Sequence, residues 1–227
     1  MLRFTLLLGF CAVAFAKKSV IAEKGVSIML QAVGSARTAG TVRMCTCQEM
    51  QRCIAQDMNT MNTCSQQCYG VFSSVTRTPY ALRGCLDQGT ANQVTSCVTS
   101  GLFSCNGRGY TRRYSYQRFY STVLLQLQSR KNELTGTSAL RMIQPVASAG
   151  LDFGACSLNC FNRYNPDRCF DSLGCQPQVN EQMVRPLAKK CFKQIERAAA
   201  SKCYCMLNAG VSSLRNFCGL ASSLMRG

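Results

Sequence analysis

The sequence predicts an all-α fold, a disulfide-rich helical bundle. Three observations carry that expectation: a helical apolar stripe rich in cysteine, an even division of cysteines along the chain, and an N-terminal segment of the kind that directs a chain into an oxidising compartment. The stripe lies in residues 44–75, MCTCQEMQRCIAQDMNTMNTCSQQCYGVFSSV. There Cys47, Met50, Ile54, Met58, Met61, Cys68 and Phe72 recur at steps of three, four or seven, the spacing of one helix face. Gln48, Gln51, Gln56, Asp57, Asn59, Asn62, Gln66 and Gln67 are assigned to the other faces. Cys64 and Cys68 are four apart, so both thiols aim at the same neighbour. Cys45 and Cys47 are too close for an easy mutual bridge, so each needs a partner of its own.

Met1-Leu2-Arg3, the apolar run from Phe4 to Val13, and Ala14-Phe15-Ala16 before Lys17 have the three-part form of a secretory signal peptide. The apolar run is too short to span a bilayer. The expected mature chain therefore starts near Lys17 and is soluble, secreted and extracellular. Removing Cys11 with the leader leaves 16 of the 17 cysteines, an even number. Eight lie in a first half (Cys45, Cys47, Cys53, Cys64, Cys68, Cys85, Cys97, Cys105) and eight in a second (Cys156, Cys160, Cys169, Cys175, Cys191, Cys203, Cys205, Cys218). In a secreted chain such sets read as disulfide frameworks whose pairing the sequence does not give. CxC and CxxxC motifs occur in both halves, in swapped order. Two readings stand: two similar eight-cysteine subdomains from a divergent duplication, or one cross-bridged domain with Cys45/Cys47 near Cys203/Cys205. The corresponding division is a signal peptide over 1–16, a helical subdomain over 17–106, a cysteine-free connector over 107–149 and a second helical subdomain over 150–227.

In chain order, Val26, Met29, Leu30 and Val33 form a short helical stripe ended by Gly34 and Gly40. Arg77-Thr78-Pro79-Tyr80 is a break, and residues 91–103 are ambiguous between helix and loop. The connector opens on Arg108, Tyr110, Arg112, Arg113, Tyr114, Tyr116, Arg118, Phe119 and Tyr120, a basic run interleaved with aromatics. Phe119, Tyr120, Val123, Leu124 and Leu127 then make an apolar stripe. The expected structure is a basic loop feeding an amphipathic helix that docks on the core. Asn165-Pro166-Asp167 and Gln176-Pro177 mark turns. Residues 179–206 read as a longer helix, with Pro186 at a kink or a start and Met183, Leu187, Cys191, Ile195 and Ala198 on its buried face.

Charge and missing residue types narrow the function classes. Without Arg3 the chain carries 25 basic residues against 10 acids, a net charge of about +15, which favours acidic partners. Candidate contacts for a polyanion are Arg108, Arg112, Arg113 and Arg118 in the connector, and Lys189, Lys193 and Arg197 in a column at i, i+4 and i+8 on the late helix. Arginine–tyrosine interleaving also suits single-stranded nucleic acid, but secretion argues against that partner and none is expected. The chain has no histidine. That removes histidine-dependent nucleophile systems, histidine general bases and histidine metal sites. CxC and CxxxC in an oxidising compartment do not read as a zinc site. The ten acids form no recognisable pair for glycoside hydrolysis, and there is no P-loop or Rossmann fingerprint. No enzyme activity, no cofactor and no metal are expected.

The CxxxC runs Cys64-Ser65-Gln66-Gln67-Cys68 and Cys156-Ser157-Leu158-Asn159-Cys160, set in helical sequence after a leader, give the chain a cysteine layout that resembles nematode secreted cysteine-rich proteins, and among them the chondroitin proteoglycan 4 domain family. The resemblance implies an extracellular or eggshell-matrix protein with no catalytic residues. Ser100-Gly101 lacks flanking acids, so this chain is not expected to carry chondroitin itself. The expected function is that of a secreted, non-enzymatic extracellular matrix or polyanion-binding protein whose partners are acidic glycans, of the glycosaminoglycan kind, or matrix proteins. The alternative is a cationic defence or effector protein acting on anionic membrane surfaces.

Overall fold

The computed structural model describes residues 20–86, 96–129, 131 and 143–224, with the side chains of 20–24, 192–200 and 220–224 outside that description. The expected signal peptide, residues 1–16, lies outside the described residues. Most of the described chain is helical, as the stripe and the cysteine content predict. The elements in order are α1 (Val20–Ala36), β1 (Arg37–Met44), α2 (Cys47–Cys68), β2 (Phe103–Ser104), β3 (Tyr110–Tyr114), α3 (Tyr116–Ser129), α4 (Gln144–Arg163), α5 (Arg168–Leu173), β4 (Cys175–Gln176), β5 (Gln178–Val179), α6 (Val184–Asn208) and α7 (Arg215–Leu224). Tight 3-10 turns at Tyr69–Ser74 and Pro79–Arg83 connect α2 onward, and residues 96–102 are helical.

Disulfides set the plan. Cys45–Cys175, Cys53–Cys169, Cys64–Cys160 and Cys68–Cys156 are nested: as the first partner advances, the second recedes. The chain from Cys45 to Cys68 therefore runs antiparallel to the chain from Cys156 to Cys175. Cys85–Cys205 and Cys97–Cys191 form a second nested pair that crosses the first four in sequence. The bridges do not close two separate frameworks; only Cys47–Cys105 and Cys203–Cys218 stay within a half. Cys45 and Cys47 take separate partners, as their spacing requires, but neither meets Cys203 or Cys205.

Helix α2 begins with a capping box. Thr46 accepts from the Glu49 backbone N–H, and the Glu49 carboxylate accepts from the Thr46 N–H. Its buried face is Cys53, Asp57, Met61, Cys64, Ser65 and Cys68. That corrects the expected stripe: Cys47 is exposed, while Met50, Ile54 and Met58 are half-buried at its margin. The face is centred by the bridges to α4 and α5, which pull the cysteine side inward. The CxxxC of α2 meets the CxxxC of α4 head to tail, so both thiols do address one neighbour.

Of the three buried clusters among the described residues, one joins Met29 and Val33 of α1 to Leu102, Tyr114 and Leu187, and the other two flank this ladder. One gathers Tyr69, Phe72, Leu82, Phe153, Met206 and Leu214. The other gathers Met61, Tyr116, Tyr120, Leu158, Phe161 and Phe170, with the Tyr120 and Phe161 rings edge-to-face at 5.0 Å between centroids. In α1, Val26, Met29 and Val33 are buried, but Leu30 is 38 % exposed and the helix runs through Gly34 to Ala36. In α6, Leu187 and Cys191 are buried, whereas the expected positions Ile195 and Ala198 have side chains outside the described residues. Pro186 sits in the first turn of α6, where its missing N–H costs no helix bond, so it marks a start and not a kink.

The expected basic loop is a strand. β3 pairs antiparallel with β1 (Arg43↔Tyr110, Val42↔Thr111, Thr41↔Arg112), and β1 pairs parallel with β4. The sheet order β3-β1-β4 leaves β3 at an edge. Gln176, 1 % exposed, extends the ladder with its side chain: Oε1 accepts from the Tyr114 N–H at 2.8 Å and Nε2 donates to the Tyr114 carbonyl at 2.7 Å. Beyond β3, Tyr120, Val123 and Leu127 bury one face of α3, with Phe119 and Leu124 half-buried, so the amphipathic helix docks as its stripe predicts.

Candidate polyanion-binding surface

The turn that delivers β3 is pinned at several points. Cys105 is bonded to Cys47, the Gly107 N–H donates to the Cys45 carbonyl at 3.0 Å, and the Met44 N–H donates to the Gly109 carbonyl at 3.0 Å. The Asn106 side chain closes an Asx turn by accepting from the Arg108 N–H at 2.8 Å. Gly107 and Gly109 have φ of +69° and +75°, a region that side chains resist, and a Cβ on Gly107 would lie 2.6 Å from Thr46 Cγ2. Arg108 is therefore displayed on a rigid tip. Tyr110, next along, is 77 % exposed.

From this tip the basic residues separate into two kinds. Arg108, Arg112 and Arg118 are exposed, and none has a carboxylate partner within salt-bridge distance among the described residues. Arg113 is also exposed, but its guanidinium is 2.9 Å from Asp171. On β1, Arg37 is held by Glu181, and Arg43 by Glu49 at 2.8 Å. Glu181 also accepts from the Tyr114 hydroxyl; hydrogen bonding to Arg37 is the main cause that lowers its carboxyl pKa. Burial, with that hydrogen bond to Glu181, pushes the Tyr114 phenol up to about 12. The structure thus gathers the four connector arginines on one ribbon and the adjoining helix start, with Arg113 neutralised. Lys189 is exposed on α6, a different element. Lys193 and Arg197 follow it on that helix, and their side chains lie outside the described residues.

Sequence reasoning missed the acids that shape this surface. Asp167 and Asp171 line a polar cleft with Thr38, Arg113, Ser115 and Arg118. Asp167 fills the N-terminus of α3: it accepts from the Tyr116 N–H at 2.5 Å, the Gln117 N–H at 3.3 Å and the Ser115 hydroxyl at 2.8 Å. A helix start that could receive an external anion is already satisfied from within the chain. Asp57 was also missed. It is 6 % exposed, its Oδ2 has no hydrogen-bond partner, and burial raises its carboxyl pKa to about 7. Its phase was visible, four residues after Cys53 and four before Met61, on the cysteine side of α2.

Beside the cleft lies an apolar cavity of about 50 Å³ between α1, the helical residues 96–102, β5 and the start of α3. Cys45, Cys175 and Glu49 also converge within 4.8 Å, but the two sulfurs are bonded to each other, and neither is the thiolate a metal needs. No helix among the described residues is long and apolar enough to cross a membrane. Compared with protein-family models, curated proteins and solved structures, the chain matches none.

Proposed function

We propose that this is a secreted, non-enzymatic extracellular matrix protein that binds polyanions of the sulfated-glycan class through the ribbon running from Arg108 to Arg118. The observation that carries the reading is the rigid tip: Arg108 is exposed in the turn, and Tyr110 and Arg112 on the edge strand it delivers, with the turn fixed by a disulfide and two backbone hydrogen bonds to residues 44 and 45. Preorganised cations lose little freedom on binding, and the exposed tyrosine ring offers a face to a sugar. The disulfide content fits an oxidising compartment, which supports secretion. The resemblance to the chondroitin proteoglycan 4 domain family supports a matrix setting in the same way.

The test is elution of the oxidised protein from immobilised heparin and from a plain cation exchanger. Replacing Arg108, Arg112 and Arg118 by Ser is expected to remove the extra salt that wild type needs on heparin. Arg113→Ser is expected to have a smaller effect, because Asp171 already occupies that guanidinium. Equal elution of wild type and variant on both resins overturns the reading.

A further inference from the structure

Beyond Arg118 the basic surface passes onto a second segment of the chain. Asp167 joins the start of α3 to the turn between α4 and α5, accepting from the Tyr116 N–H, the Gln117 N–H and the Ser115 hydroxyl. Further along α3, the Asn162 side-chain amide donates to the Ser121 hydroxyl at 2.7 Å, and the Tyr120 ring meets that of Phe161. These contacts lay the end of α4 and the turn after it against the first turns of α3, which carry Arg118. On that segment Arg163 and Arg168 are exposed, and neither has a carboxylate within salt-bridge distance among the described residues. Tyr164, between them, is 56 % exposed. Arginines flanking an open tyrosine are also what Arg108, Tyr110 and Arg112 present at the tip.

This turn is as firmly held as the tip. Asn165, at φ +53°, accepts the Asp167 N–H on its side chain at 3.2 Å and the Arg168 N–H on its carbonyl at 3.0 Å. Cys160 and Cys169 bond its two flanks to α2. The acids nearby do not cancel the two arginines. Asp167 is buried and taken up by its three donors, and Asp171 is held by Arg113. We infer that Arg163 and Arg168 continue the polyanion track, so that one glycan chain bound along β3 and the start of α3 runs on across the α4–α5 turn. The inference rests on the ribbon reading and adds two cationic contacts to its footprint. Both arginines stand on a fixed backbone, so engaging them costs little ordering.

The experiment measures heparin binding by the full-length oxidised protein over a range of salt concentrations. Arginines that meet a polyanion release its condensed counterions, so the slope of log affinity against log salt counts ionic contacts at about one per contact. Arg163→Gln with Arg168→Gln is expected to lower that slope by about two. Arg77→Gln with Arg215→Gln removes the same charge from exposed sites beside the Phe72 and Leu214 core, and is expected to keep the wild-type slope. Urea unfolding under oxidising conditions checks that each variant is folded. If the Arg163 and Arg168 double variant is not, each single substitution makes the same test with a loss of about one. A slope equal to that of the Arg77 and Arg215 variant overturns the inference and leaves the ribbon reading standing. If replacing Arg108, Arg112 and Arg118 leaves the slope at the wild-type value, the ribbon reading itself falls, and the continuation with it.

Discussion

Asp167 caps a helix from 51 residues away: its Oδ1 accepts the Tyr116 backbone N–H at 2.5 Å, at the start of α3. An N-cap normally comes from the residue preceding the helix. Here Ser115 occupies that place, its hydroxyl oxygen accepting from the Arg118 N–H at 3.2 Å, and it donates that hydroxyl to the Asp167 carboxylate, so the two residues share the cap. The cap therefore also fastens the Asn165-Pro166-Asp167 turn, where Asn165 has a φ of +53°, to the segment leaving β3.

Asp167→Ala should lower stability by about 1–2 kcal/mol, the range for losing a helix cap. Asp167→Asn should lose less, because an amide oxygen still accepts. Urea unfolding under oxidising conditions measures both. Equal stability of Asp167→Ala and wild type would show that the hydrogen bonds carry no net weight.

Asp57 gives the protein an inverse response to mild acid. Burial raises its folded pKa to about 7, above the 3.8 of an exposed aspartate. A raised carboxyl is neutral in the fold and charged in the unfolded chain between those values, so folding takes up a proton there. Its unfavourable contribution is absent below about pH 4, grows as pH rises, and is complete above about pH 7. Asp57→Asn should be more stable than wild type at pH 8 and nearly level with it at pH 4. A stability difference that does not change with pH would refute the assignment.

Glu49 works in the opposite sense. Hydrogen bonds from Arg43 and from the Thr46 backbone hold its carboxyl at about 2, below the ordinary 4.5. Its stabilisation is present above pH 4.5 and is lost as pH falls through 2. Glu49→Gln should therefore flatten the acid limb of the stability profile. The same acid limb in variant and wild type would count against the Arg43–Glu49 pair as its source.

The helical class and the shared neighbour of Cys64 and Cys68 could be read from periodicity alone, because a helix converts spacing into direction. The pairing across the halves had a signal too. The swapped order of CxxxC is what antiparallel pairing produces, Cys64 with Cys160 and Cys68 with Cys156. The CxC pairs misled, since Cys45 goes to Cys175 while Cys205 goes to Cys85. The strands were hidden for a physical reason. β1 carries Gly40 in its interior, at φ +85°, with a register shift between Arg37 and Thr41, so no clean alternation survives. β3 has adjacent exposed arginines, and its ladder leans on Gln176, 62 residues away in sequence. Long-range partners of that kind leave no local trace. The charge of the ribbon was legible, but the acids that neutralise Arg113, Arg37 and Arg43 come from elsewhere in the chain for two of the three.

Reduction should open the disulfides in an order set by access. Cys47 is exposed and Cys105 half-buried, at the tip that presents Arg108. Cys45 and Cys175, the end rung of the ladder, are both 0 % exposed. Exchange requires a thiolate to reach a sulfur, so a water-soluble reductant meets Cys47–Cys105 first while the fold is intact. Graded reduction, alkylation and peptide mass spectrometry should find Cys47 and Cys105 labelled before Cys45 and Cys175. Because that bridge pins the basic tip, the singly reduced species should stay folded and elute from heparin at lower salt than the oxidised protein. Simultaneous labelling of all the cysteines would mean that the ladder and the tip unfold as one unit.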